Sequence, residues 1–144
     1  MSHVAVLGAG SWGTTLGNLL ACKGETVRIW AYEPEVVEAI NRTGENPVFL
    51  PGVRLSPALR ADFDARACVT DASAILSAAP SHAVRSVLHR VKDVVRSGTL
   101  VVSATKGIEN DTLALMSAVA RETLPRVRFA ALSGPSFAEE VCRG

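Results

Sequence analysis

The sequence predicts an α/β fold, a mainly parallel sheet with helices on both faces. Three observations lead there. Short apolar runs alternate with longer helical ones along all 144 residues, a glycine-rich turn joins the first run directly to the first helix, and no internal repeat or low-complexity tract interrupts the pattern. Such alternation implies parallel strands linked by right-handed crossovers. The glycine turn narrows the class to a Rossmann-type doubly wound sheet, whose ligand crevice lies at the carboxyl ends of its strands.

The elements follow in order. His3–Leu7 is a compact apolar run ending at glycine, as a buried parallel strand should. Ser11 to about Lys23 has helical spacing in Trp12, Leu16, Leu19 and Leu20, and Gly24 is a natural stop. Thr26–Trp30 reads as the second strand. Pro34 then suits a first helical turn, and Val36, Val37 and Ile40 form one apolar face up to Gly44. Residues 46–57, with Pro47, Pro51, Gly52 and Pro57, read as an ordered loop. A short strand near 59–63 and a helical turn come next. Strand Ala74–Ala79, a helix over about His82–Val95 and strand Thr99–Ala104 follow, then a helix over Thr112–Leu124 and strand Val127–Leu132. A last helix begins near Pro135–Ser136.

Composition bounds the function. With 48% apolar and 20% charged residues the chain is globular, and it is long enough to bury a core. A net charge of +1 gives no broad electrostatic case for nucleic acid or a membrane surface. Cys22, Cys68 and Cys142 are odd in number and widely separated, without the spacing of a zinc site or a disulfide framework; a reducing cytoplasm is the expected compartment. Neither a signal peptide nor a membrane span is expected.

The chemistry concentrates at the predicted carboxyl edge. In Gly8-Ala9-Gly10-Ser11-Trp12-Gly13, Gly8 permits the tight turn, Gly10 lets the backbone approach a pyrophosphate, and Gly13 allows close helix–strand packing. Free N–H groups and the positive end of the helix dipole then face the phosphates. Ser11 either donates to a phosphate or caps the helix; Trp12 either fills the core or walls off the pyrophosphate. Glu33, twenty residues after Gly13, either stands where an acid binds the adenosine ribose of NAD and repels a 2′-phosphate, or is an exposed helix-start glutamate favoured by the dipole. No arginine adjoins it in sequence. Tyr32 either stacks on the adenine or covers the sheet edge. Lys106, followed by glycine, is either a cation directed into the crevice or a solvated loop lysine, and Gly134-Pro135-Ser136 opening a helix makes a second anion site. No metal site is expected: His82 and His89 lie seven apart, closer to one helical face than to a two-ligand pair. His82 is the only conceivable acid or base, and a helix-start polar residue is the plainer reading of it.

Four segments in order, Gly-Ala-Gly-Ser-Trp-Gly-Thr at 8–14, Glu-Asn-Pro-Val-Phe-Leu-Pro-Gly at 45–52, Thr-Lys-Gly-Ile-Glu at 105–109 and Ser-Gly-Pro-Ser-Phe-Ala at 133–138, closely resemble the amino-terminal half of NAD(P)-dependent glycerol-3-phosphate dehydrogenase. The resemblance spans the chain. It implies reversible hydride transfer between dihydroxyacetone phosphate and sn-glycerol 3-phosphate, feeding phospholipid synthesis in the cytoplasm. Carried over by position, Ser11 and Trp12 would contact the pyrophosphate, Tyr32 would lie by the adenosine and Phe49 near the cofactor. Lys106 would touch cofactor and substrate, Gly134 and Ser136 the substrate, and Ala138 the cofactor.

This sequence departs from the family pattern in three places. Many NADPH-using bacterial members have basic residues after the second strand; Tyr32-Glu33 resembles the NAD-using members instead, so NAD is favoured over NADP. The stretch 62–71 matches poorly and receives no roles. Family members also continue into a helical domain that supplies the catalytic lysine, the rest of the substrate pocket and much of any homo-oligomer contact. The expectation is therefore a dinucleotide-binding domain over 1–144, with no catalytic residue of its own and the carboxyl-terminal catalytic domain absent from this chain. Two other readings keep less of the sequence. A ketopantoate-type reductase of another small hydroxyacid explains only the glycine loop. A stand-alone nucleotide-sensing module explains the short length and the missing base.

Overall fold

A computed structural model describes residues 2–133 and 138–142. Its elements run β1 (His3–Leu7), α1 (Ser11–Cys22), β2 (Val27–Trp30), α2 (Pro34–Thr43), β3 (Leu59–Asp62), α3 (Ala65–Val69), β4 (Ala72–Ser77), α4 (Val84–Val91), β5 (Leu100–Ser103), α5 (Met116–Thr123), β6 (Arg128–Ala131) and α6 (Ala138–Cys142). Six strands form one sheet in the order β3-β2-β1-β4-β5-β6, every neighbouring pair parallel. This is the doubly wound arrangement, with its switch point between β1 and β4.

Register carries the last residue of each strand to one edge. Asp62 pairs with Trp30, Trp30 with Leu7, Leu7 with Ser77, Ser77 with Ser103, and Ser103 with Ala131. The loops that follow therefore leave the sheet side by side. Because strand side chains alternate between faces, two cores form. Val6, Ile29 and Leu76 pack with Leu16, Val36 and Ile40 from α1 and α2. Ala5, Leu7, Ile75 and Val101 pack with Leu88 and Val91 of α4 and Val119 of α5. Local signals act as expected at α2, where Pro34 opens the helix and Gly44 closes it at φ 69°.

The structure revises several boundaries. β4 is Ala72–Ser77 rather than Ala74–Ala79, because its pairing begins opposite His3 and ends opposite Leu7, where β1 ends. Ala78 keeps one ladder bond, N–H to the Leu7 carbonyl at 2.9 Å, before the chain turns away. α4 starts at Val84, after a turn in which the Ala83 N–H donates to the Pro80 carbonyl. The largest change is at Thr112–Leu124, where only Met116–Thr123 is helical. Leu113 adopts φ 59°, which no helix tolerates, while Ile108 and Leu115 form an antiparallel bridge. Among the described residues no helix is long and apolar enough to cross a membrane.

Candidate functional site

A cleft of about 710 Å³ opens at the switch point, between the loops after β1, β2, β4 and β5. That size suits a small-molecule or cofactor site. The turn after β1 forms its floor, and its three glycines are small for different reasons. Gly8 has φ +116°, and a Cβ there would lie 2.8 Å from the Ala79 nitrogen. A Cβ on Gly13 would sit 2.0 Å from the Gly8 carbonyl oxygen. The fold itself excludes side chains at both. Gly10 differs: its φ of −68° suits any residue, and a Cβ there would meet nothing within 4 Å. Gly10 is also the N-cap of α1, so its backbone lies open to the cleft beside the helix's first N–H groups. Ser11 is thus the first helical residue rather than the cap, and with Trp12 it lines the cleft.

This floor is braced from behind by Asn46. Its side chain is fully buried, and its amide nitrogen donates to the Ala9 carbonyl and to Thr14 Oγ1, both at 2.9 Å. Its amide oxygen accepts from the Phe49 N–H at 3.1 Å. One amide so ties the 46–50 turn to the glycine loop and sets Phe49 on the cleft wall. The loop after α2 is ordered because Asn46, Leu50 and Leu55 are buried in it.

Tyr32 and Glu33 line the cleft beyond the end of β2. Tyr32 is largely exposed and meets Trp30 edge to face, with ring centroids 6.4 Å apart. Glu33 is the N-cap of α2 but caps no backbone N–H with its side chain. From α4, Arg90 reaches the same cleft, its guanidinium 5.8 Å from the centre of the Trp30 ring. Arginine is therefore close in space although the sequence around Glu33 has none.

Lys106 stands on the loop after β5, its ammonium 5.7 Å from the Trp12 ring centre in a cation–π contact. It borders the main cleft and also a second hollow of about 400 Å³ lined by Gly107, Met116, Phe129 and Ser133. Two ties hold its loop. Thr105 Oγ1 donates to the Ala79 carbonyl at 2.6 Å. Further on, the Glu109 carboxylate is nearly buried and accepts from Arg85 Nε at 2.9 Å, Arg85 Nη2 at 3.0 Å and Thr112 Oγ1 at 2.5 Å. The Arg85 bond, then the Thr112 bond, holds that carboxyl below the usual carboxylate range. Elsewhere, burial pushes the Cys68 thiol up to about 12, so it stays protonated and inert at neutral pH.

The structure therefore brings Gly8, Gly10, Ser11, Trp12, Tyr32, Glu33, Phe49, Lys106 and Ala138 to one cleft. Gly13 lies behind the floor as a packing position. Gly134 and Ser136, with the helix start expected at 135–136, lie outside the described residues. His82 is exposed and does not line the cleft. Among the described residues no group of three His, Cys, Asp or Glu side chains gathers as a metal site would require. Sequence reading missed Asn46 and Arg90. An asparagine in a proline-rich loop signals a turn, and only its burial shows the brace. Arg90 had no local signal.

Comparison with known proteins bears on the whole chain. The family described as NAD-dependent glycerol-3-phosphate dehydrogenase N-terminus matches residues 3–144. A glycerol-3-phosphate dehydrogenase (NAD(P)+) of Nitratidesulfovibrio vulgaris is 49% identical over 143 residues, covering 98% of this chain and 43% of the relative. The crystal structure of glycerol-3-phosphate dehydrogenase from Coxiella burnetii superposes with a TM-score of 0.91 at 37% identity, covering 99% of this chain and 44% of that one. A ketopantoate reductase from Ralstonia eutropha is a more distant likeness, with a TM-score of 0.72 at 27% identity over 90% of this chain and 40% of its own. This chain thus spans less than half the length of these proteins. Fold, glycine loop and sequence relationship agree: the chain belongs to the family of NAD-dependent glycerol-3-phosphate dehydrogenase N-terminal domains.

Proposed function

We propose that this chain holds the dinucleotide of an oxidoreductase that moves hydride between NAD(P)H and dihydroxyacetone phosphate, forming sn-glycerol 3-phosphate for glycerophospholipid synthesis. The observation that carries this reading is Gly10. Gly8 and Gly13 are small because the fold needs them so, whereas neither backbone conformation nor packing requires glycine at 10. A ligand that runs against the backbone there does require it.

In this reading the pyrophosphate lies over the open N–H groups at the start of α1, with the Ser11 hydroxyl and Trp12 beside it. Tyr32 and Glu33 take the adenosine, with Phe49 and Ala138 along the wall. The bound dinucleotide supplies the hydride. Lys106 borders both hollows, so it offers its charge to an anionic substrate where that substrate would meet the cofactor. Gly134 and Ser136 complete the substrate's phosphate site. Residues 1–144 act as the dinucleotide-binding domain, and the proton donor comes from a carboxyl-terminal domain. The enzyme works in the cytoplasm, and homo-oligomer formation belongs to the full-length protein.

Both dinucleotides fit this reading, with NADH preferred. Glu33 repels a 2′-phosphate, and Arg90 in the same cleft offsets part of that repulsion. Glu33→Arg should move the preference towards NADPH, measured as the ratio of the two dissociation constants. Tighter NADPH binding by the unaltered chain would refute the role given to Glu33.

Trp12 and Trp30 both line the cleft, so quenching of tryptophan fluorescence reports occupancy. Residues 1–144 should bind NADH without reducing dihydroxyacetone phosphate. Gly10→Ala should weaken that binding by about tenfold or more while moving the thermal midpoint by no more than about 2 °C. Gly13→Ala should instead lower stability. If Gly10→Ala binds NADH as the parent does, the dinucleotide reading fails; turnover by the isolated chain would dismiss the division of labour between domains.

A further inference from the structure

Lys106 lies on a loop with few intrinsic restraints: Gly107 follows it at φ +97°, and both residues are exposed. Where the ammonium of a long side chain stands depends on where the loop sets its backbone, and a misplaced charge loses its effect on a reacting anion. Something must hold the loop. Thr105, on one side of Lys106, is bonded to the Ala79 carbonyl. Three residues after Lys106, Glu109 interrupts the exposed stretch with a nearly buried carboxylate.

Glu109 has its partners on two elements. Arg85, in the first turn of α4, grips both carboxylate oxygens, and Thr112 within the same loop adds a third donor. Arg85 also donates to Glu122 of α5 at 2.6 Å, so its fork is fixed from two sides. The loop backbone closes around the same carboxylate: the Glu109 N–H donates to the Ala114 carbonyl at 2.9 Å, and the Leu113 N–H to the Glu109 carbonyl at 2.8 Å. Bidentate arginine–carboxylate pairs restrict orientation as well as distance. A generic surface ion pair would do neither.

We infer that Glu109, clamped by Arg85 and Thr112, is a positioning residue that sets where the Lys106 ammonium stands. The inference rests on the proposed substrate role of Lys106. Glu109 touches neither hollow; it acts through the loop. At metal sites, loss of the outer partner that orients a ligand costs roughly 10- to 100-fold in function, and a loss of the same order is expected for a partner that orients Lys106.

The test is a double-mutant cycle on the full-length enzyme, reading kcat/KM for dihydroxyacetone phosphate with NADH. Lys106→Ala should abolish most activity. Glu109→Gln should lower kcat/KM by about tenfold or more, with NADH affinity changed far less. In the Lys106→Ala background the same Glu109→Gln change should cost nothing further, because no ammonium remains to be misplaced. Thr112→Val removes the bond to Glu109, together with the one Thr112 Oγ1 accepts from the Ala114 N–H, without touching the ion pair; it should give a smaller loss of the same kind, which keeps the test decisive if Glu109→Gln folds poorly. Equal losses from Glu109→Gln in both backgrounds would show that Glu109 supports only the fold and overturn the inference. No loss from Glu109→Gln or Thr112→Val would do the same. If Lys106→Ala itself costs nothing, the substrate role of Lys106 falls first.

Discussion

The two walls of the cleft are held in place by different physics. The wall formed by the turn after β1 is braced by a neutral, fully buried amide, Asn46, joined to Ala9, Thr14 and Phe49. The wall that carries Lys106 is tied by charge, through the Arg85–Glu109 pair, with Arg85 still partly exposed. A buried neutral network restricts its partners at every pH and salt concentration, and its loss leaves polar groups unsatisfied in the interior. A partly exposed ion pair is screened by water and salt and responds to acid. The difference suits the tasks proposed for the walls. A dinucleotide's pyrophosphate needs a fixed backbone cradle, while a cation facing a substrate that enters and leaves needs orientation with some freedom.

The two kinds of restraint should respond differently to mutation, acid and thiol reagents. The largest effect is expected from Asn46→Ala. It removes two donors and one acceptor from a buried site and should cost about 3 kcal/mol, read by urea or thermal unfolding. That cost should not vary with pH between 4 and 8, since an amide does not titrate there. A loss of under about 1 kcal/mol would mean that water replaces the amide and that the brace is dispensable.

The second effect is smaller and depends on pH. Glu109 has a folded-state pKa below its usual value of 4.5, chiefly through the Arg85 bond. A carboxylate lowered in this way adds stability above its unfolded pKa and loses that contribution as the pH falls through the folded value. The stability gap between the parent and Glu109→Gln should therefore be full near neutrality and shrink below about pH 4.5. A gap that stays constant on acidification would mean that the carboxylate's charge is not what holds the loop.

The smallest effect is chemical. Cys22 is exposed, whereas Cys68 is buried with a raised thiol pKa. A thiol reagent at neutral pH should modify Cys22 in the folded chain and reach Cys68 only after unfolding, as peptide mapping would record. Rapid labelling of Cys68 would mean that the core around α3 opens far more readily than its packing implies.

The contrast between the walls also marks what could be read in advance. The glycine-loop wall was legible because its signals are local: a strand ending at Gly8, a helix opening at Ser11, and Glu33 at the distance a βαβ unit imposes. Lys106 was legible as a residue but its restraint was not, for Arg85, which grips Glu109 of the same loop, lies on α4, 24 positions before Glu109. The helix expected over Thr112–Leu124 shows the cost of that blindness. Its periodicity is helical, yet Thr112 bonds to Glu109 and Leu113 turns left-handed, so the first residues close a small hairpin instead.

The alternation of strands and helices, the doubly wound class, the glycine-rich turn after the first strand and the acidic residue after the second were all written in the sequence. Each depends on side-chain period or backbone conformation within a few residues, and such preferences act wherever the chain happens to be. Folding in three dimensions was needed for Asn46 to brace a turn 37 residues away, for Arg90 to share a cleft with Glu33, and for Glu109 to be clamped near Lys106. These are long-range pairings between polar groups. No local propensity specifies them, because a hydrogen-bond donor is satisfied by any suitable acceptor and the fold alone chooses which one is near.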